Sequence, residues 1–333
     1  MNRVSPNFMP VRLRNQRLAG TRFRTAAEVV GWFGAVQAQD YGAAKWALAL
    51  RTKGARESDV ETAFATGAIV RTHVLRPTWH FVLPEDLRWM LALTAPRVKR
   101  AMAYYDRKLG LDGRTVARSN DAMAKALSGG RQLTRAELAA VVDEGDGQRM
   151  GHLLMHAELD AVICSGPRRA KQLTHALVTE RCLPAPSIQG DEALQRLAVR
   201  YFQSHGPARL HDFAWWSGLT LAEARRAVEI ARLGSRGDFW SVSWTPARPS
   251  GPVVHLLPSF DEFLVAYKER RELSPTVLLN GKAIGNWRRT LAKDCVAVET
   301  RLSVNLDGAG KRALKAAIDR FATYLGLSAV ADW

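Results

Sequence analysis

Apolar residues near the start of the chain recur with the period of a helix. In TAAEVVGWFGAVQAQ, beginning at Thr25, the residues Val29, Val30, Phe33 and Val36 fall on one face. Thr25 stands at the N-cap position, and Glu28 three residues on completes a capping box. A second helix is predicted over 57–66, with Gly67 ending it. The next segment, AIVRTHVLRPTWHFVL, is rich in β-branched and aromatic residues and breaks at Arg76-Pro77, which predicts a short hairpin. Helical period returns over 86–94 and 97–109. The order then repeats. LTRAELAAVVDEG (133–145) opens with Thr134 and Glu137 in capping positions, an apolar helix is predicted over 150–166, and GPRRAKQLTHALV follows as a basic turn and strand. A third copy reads as helices over 191–206, 208–218 and 220–230, the last two joined at Gly218. From about residue 237 the period becomes two, in FWSVSW, PVVHLL, TVLLNGKAIGNW and CVAVETRLSV. Asn280-Gly281 marks a two-residue hairpin, and KRALKAAIDRFATYL is a closing helix. The pattern predicts an α+β chain of tandem winged helix-turn-helix units. Their expected bounds are 1–110, 111–188 and 189–236, followed by a small β-barrel or sheet module over 237–333.

Charge gives this architecture a partner class. The chain of 333 residues carries 48 Lys and Arg against 32 Asp and Glu, a net +16. Such a surplus attracts polyanions, and tandem winged helices are chiefly a DNA-docking architecture. No stretch approaches the roughly 18 to 20 apolar residues of a bilayer span. The N-terminal segment lacks an apolar signal-peptide core. Cys164, Cys182 and Cys295 are widely spaced and fit neither a disulfide framework nor paired zinc ligands. A cytoplasmic monomer that meets double-stranded DNA and no membrane is expected. Neither a Walker-type phosphate loop nor a GxSxG elbow is present.

Four constellations are candidates for chemistry. Gln37 and Gln39, followed by Asp40, would converge on one ligand if the backbone there is extended; otherwise they form a polar helix end. Thr78 and His80 alternate on one strand face, either toward a water or phosphate or as ordinary wing residues. Asp261 and Glu262, with Tyr267, Lys268, Glu269 and Arg270 behind them, form either an acid–base pair or a salt-bridged corner. His152 and His156 share a helical face but lack the glutamate of HExxH, so core or interface histidines fit better than metal ligands. Candidate phosphate contacts are Arg76, Arg168, Arg169, Lys171, Arg225, Arg226, Lys282, Arg288 and Arg289.

Four segments carry a family resemblance that covers nearly the whole chain. They are VQAQDYGAAKWAL, RTHVLRPTWHFVLPEDLRWML, LLPSFDEFLVAYKER and TVLLNGKAIGNWRR. In these the chain resembles the AlkZ/YcaQ family of winged-helix DNA glycosylases, and Gln37-Ala38-Gln39 is similar to the Gln–hydrophobic–Gln motif of the AlkZ type. The resemblance implies three winged-helix units and a β-barrel wrapped around DNA, with Gln37 and Gln39 as catalytic residues. It implies hydrolysis of the N-glycosidic bond of alkylated purines, N7-substituted, bulky or crosslinked. Water is the implied nucleophile, an abasic site the product, and no cofactor or metal is implied. Asp40, Thr78, His80, Asp261 and Glu262 are secondary, accessory candidates, to which the resemblance assigns no chemistry. A non-enzymatic winged-helix regulator or architectural factor is the alternative.

Overall fold

The computed structural model describes residues 8–145, 147–185, 188–269 and 273–332, with side chains given through Val330; Arg270 lies outside the described residues. The first N-cap forms as expected, with Thr25 Oγ1 accepting from Glu28 N at 3.2 Å, but the Glu28 carboxylate takes Arg24 N at 2.7 Å instead of closing a capping box. The helix it starts is shorter than the apolar pattern suggests and spans Ala26–Phe33. Gly34 ends it at φ +83°, and a Cβ there would lie 3.2 Å from Arg200 Cβ. Only glycine takes that backbone without strain, and the chain beyond it is free to extend. Val36–Gln37 therefore becomes a strand, β1.

The strand pattern of the next hairpin is realised as β2 (Val70–Val74) and β3 (Arg76–Val82), with Leu75 at φ +65° between them. The second hairpin comprises β5 (Ile163–Arg169) and β6 (Gln172–Leu177), preceded by β4 (Leu133–Thr134). The expected helix over 150–166 thus stops early, spanning Gln148–Leu159, and its Ile-Cys-Ser-Gly end is strand. Ala161 at φ +56° makes the turn. The two hairpins join back to back where Arg71 of β2 faces Ser165 of β5, giving one antiparallel sheet ordered β1-β3-β2-β5-β6-β4.

Two helices expected over 86–94 and 97–109 are one, Pro84–Lys108, which runs through Pro96. Its face of Leu87, Met90, Leu91, Ala95 and Val98 is fully buried. That burial outweighs the backbone bond lost at proline, because packing supplies most helix stability. The third copy forms Gly190–Ser204, Leu210–Ser217 and Leu221–Ile230, then a small hairpin of β7 (Gly234–Arg236) and β8 (Phe239–Ser241).

The C-terminal sheet runs β13-β12-β11-β10-β9. Its strands are β9 (Val254–Leu257), β10 (Thr276–Leu279), β11 (Lys282–Leu291), β12 (Cys295–Leu302) and β13 (Ser328–Asp332). Asn280 and Gly281 turn β10 into β11 with φ of 50° and 82°, and a Cβ on Gly281 would meet Met9 Cγ at 2.5 Å. The helix Gly308–Leu325 packs on this sheet, and β13 beyond it was not in the sequence pattern; it pairs parallel to β12. One apolar core joins the N-terminal segment to this sheet through Val30, Phe33, Trp46, Leu256, Ile318 and Phe321. Trp46 Nε1 donates to Leu256 O at 2.7 Å within it. That joint brings residues near 37 and near 262 together.

Candidate active site

β1 is short, but its backbone is pinned from three sides. It pairs antiparallel with β3, Gln37 opposite His80. Ala38 N donates to Trp79 O at 2.7 Å, and Ala38 O accepts from Arg71 Nε at 2.9 Å. Gln37 N donates to Glu262 Oε1 at 2.6 Å. β1 ends at Gln37 and the chain bends at Gln39, while Ala38 is fully buried in the core. Gln37 is buried at 7% exposure, whereas Gln39 and Asp40 are exposed.

The two amides are held differently. Gln37 Oε1 accepts from Arg76 Nη2 at 2.9 Å. A guanidinium only donates, so the Gln37 carbonyl faces Arg76 and its NH₂ is left for other partners. Gln39 Oε1 accepts from Trp79 N at 3.4 Å, a long bond that leaves it adaptable. Asp40 is engaged locally: its Oδ1 accepts from Ala43 N at 2.9 Å and caps the helix Tyr41–Ala49.

Behind the motif lie two buried carboxylates. Glu262 accepts from Gln37 N, from Trp216 Nε1 at 3.0 Å, and faces His205 Nε2 at 3.1 Å. Burial pushes its carboxyl up, but the hydrogen bond and charge of His205, with the Gln37 N–H, outweigh this and hold it below the usual range. Glu158 takes His73 through both its backbone N, at 2.9 Å, and its ring Nδ1, and takes Trp79 Nε1 at 3.3 Å. Arg71, whose guanidinium lies 4.4 Å from the Trp79 ring centre, donates to Ala38 O and Ser165 Oγ and lies in the field of this carboxylate. Of these partners, Arg71, Glu158, His205 and Trp216 were not singled out from the sequence. Arg71 and Trp216 sit in segments whose spacing carries no sign of the contact.

The other candidates separate. His80 is fully buried; its Nδ1 lies 2.9 Å from Thr78 O, and burial pushes its pKa down to about 3. Asp261 belongs to a salt-bridged corner, its two oxygens accepting from Arg51 Nη1 and Nη2 at 2.8 Å each. The pair expected as one unit is thus divided: adjacent residues point apart, Asp261 toward Arg51 and Glu262 toward the motif. Lys45 is buried with its ammonium on Glu57 and Glu61, 2.7 Å from each. His152 and His156 both contact the Asp106 carboxylate, at 2.7 and 3.1 Å.

The expected phosphate contacts also divide. Arg76 is drawn inward to Gln37, and burial lowers its pKa. Arg226 grips Asp191 with bonds of 2.8 and 2.6 Å, Arg288 grips Glu299, and Arg169 pairs with Glu137. Arg168 lies 3.9 Å from Glu61. Arg289 reaches the start of the helix after Asp40, where its Nη2 would touch a Cβ at Gly42 at 3.7 Å. Lys171, Arg225 and Lys282 are exposed and have no carboxylate partner among the described residues.

The sequence model of a family described as DNA glycosylase AlkZ-like matches residues 30–324. An interstrand DNA cross-link repair glycosylase of Streptomyces sahachiroi is 23% identical over 321 residues, covering 83% of this chain and 85% of that protein. The solved structure of Streptomyces sahachiroi DNA glycosylase AlkZ is similar at a TM-score of 0.77, with 21% identity and 98% of each chain covered. At that identity the likeness is one of fold. No helix among the described residues is long and apolar enough to cross a membrane.

Proposed function

The chain belongs to the AlkZ-like DNA glycosylase family, and from that premise we propose that Gln37 and Gln39 direct water onto the anomeric carbon of an alkylated purine nucleotide in double-stranded DNA. Alkylation at N7 makes the purine cationic and therefore a good leaving group. The bond to the sugar breaks with its electrons passing to the base, which departs neutral. Water supplies the hydroxyl of the abasic site, and one proton is released. The transition state has oxocarbenium character. An amide cannot act as a strong base, but its carbonyl can hold the attacking water and face the sugar cation with a dipole. Gln39, exposed and loosely held, takes the water, and Gln37 fixes the geometry.

Electrostatics favour this division. A bare guanidinium beside a sugar cation would raise the barrier. Arg76 lies in the field of Glu262 across Gln37, and each offsets the other. The motif then meets the sugar with the Gln39 carbonyl dipole and little net charge. Lys45, occupied by two carboxylates, is not a free amine nucleophile, which supports a monofunctional hydrolase.

The wings and third-unit helices are read as winged-helix surfaces that dock a monomer onto DNA, with Lys171, Arg225 and Lys282 as unpaired phosphate contacts. The name of the Streptomyces relative makes bulky adducts and interstrand crosslinks candidate substrates. The observation that carries the reading is the pinning of Gln37-Ala38-Gln39 by Glu262, Arg71, Arg76 and Trp79. Gln37→Ala and Gln39→Ala are expected to abolish release of N7-methylguanine from methylated duplex DNA while retaining DNA binding. Wild-type release by both variants sinks the assignment, and DNA binding by the wild type without any base release favours a regulator.

A further inference from the structure

β3 alternates, so Arg76, Thr78 and His80 lie on one side of its strand. His80 stands between two register partners, Gln37 on β1 and Thr72 on β2. Cross-strand partners place their Cβ atoms about 4.5–5.5 Å apart. A row of polar side chains thus leads inward from the catalytic amide: Gln37, His80, Thr72, with Thr78 and Arg76 alongside. Thr72 and His80 are fully buried. Along this row Thr72 Oγ1, Arg76 Nε, Thr78 Oγ1 and His80 Nε2 are buried without a protein hydrogen-bond partner. Native proteins rarely leave such atoms unsatisfied, and a polar pocket offering two to four partners is where ordered water resides.

The donor and acceptor set is complementary to water. Thr78 O can only accept, so His80 Nδ1 carries the proton and Nε2 is the acceptor of a neutral ring. Burial keeps that ring neutral. Arg76 Nε–H donates, and the two hydroxyls do either. Gln37, with its carbonyl committed to Arg76, has amide protons to give.

We propose that this row is an internal water site and that His80 is a positioning residue, acting through the bound water to set the Gln37 amide. The inference rests on the catalytic reading of Gln37, but its first test does not. A buried hydroxyl with no partner destabilises a protein, so its replacement by an isosteric methyl raises Tm; a hydroxyl bound to an ordered water gives the opposite sign. Thr72→Val is therefore expected to lower Tm. A rise in Tm overturns the water site.

The second test is single-turnover base release from N7-methylated duplex DNA. His80→Phe keeps a ring and removes the acceptor; its kcat is expected to fall about tenfold with KM within about twofold. His80→Gln, which can place an oxygen near the former Nε2, is expected to restore most of the loss. Thr78→Val supplies the same readout if His80→Phe does not fold. Wild-type kcat in His80→Phe, or a loss that His80→Gln leaves unrepaired, overturns the positioning role. If the wild-type enzyme releases no base, the catalytic reading fails while the Thr72→Val measurement still decides the water site.

Discussion

Glu262→Gln changes one atom and tests the site's organisation directly. The carboxylate accepts from three groups: Gln37 N at 2.6 Å on one oxygen, Trp216 Nε1 at 3.0 Å and His205 Nε2 at 3.1 Å on the other. An amide has one acceptor oxygen. With that oxygen toward Gln37, its NH₂ faces the Trp216 N–H; turned over, it faces the Gln37 N–H. His205 can change tautomer to suit, but neither of the other two donors can. One buried donor is orphaned either way, at about 1–3 kcal/mol, and a charge-assisted bond of similar worth is lost. The expected destabilisation is about 3 kcal/mol, measured by guanidinium unfolding followed through tryptophan fluorescence. If the oxygen turns from Gln37, the motif shifts as well, and base release under single-turnover conditions is expected to fall more than about tenfold. A variant within about 0.5 kcal/mol of wild type and fully active would refute the claim that Glu262 holds the motif.

Arg76→Met keeps length and removes the donor to Gln37 Oε1; kcat for base release should fall about tenfold, while DNA affinity and its salt dependence stay near wild type, the reverse of a phosphate contact. Lys171→Ala, Arg225→Ala and Lys282→Ala should each flatten the slope of log K against log salt by about one, measured by fluorescence anisotropy, and Arg226→Ala and Arg288→Ala, whose guanidiniums are held by Asp191 and Glu299, should change it less. Stability should fall as pH drops below about 6.5. Burial pushes His80 down to about 3 and His175 and His255 to about 4, so the unfolded chain takes up protons the folded one refuses. That contribution is fully present above the unfolded value and is lost toward the folded ones, at up to about 4 kcal/mol per pH unit for three histidines. Urea midpoints that do not move between pH 7 and 5 would contradict it.

What the sequence made legible follows from distance along the chain. Thr25 with Glu28, Thr134 with Glu137 and Thr220 with Glu223 all cap as expected, because cap and partner lie three residues apart. Asn280-Gly281 forms its hairpin for the same reason. The motif's surroundings were not legible, since their logic is long-range. Glu262 reaches Gln37 across 225 positions and Arg51 reaches Asp261 across 210. Period and composition contain neither separation. The sequence pattern also carried the first helix through Gly34 to Gln39, where two glutamines two apart would diverge. The positive-φ turn at Gly34 and the pairing of β1 with β3 end that helix early and make the backbone at Gln37 extended. On the proposed reading, an uncharged pair serves in catalysis because charge is spent behind it. Glu262, Glu158 and Arg71 lie buried and Arg76 half-buried around the motif and mutually offset, holding the motif backbone and the Gln37 amide. Substitutions at these four positions should therefore impair base release more than DNA binding, although none of the four need touch the purine.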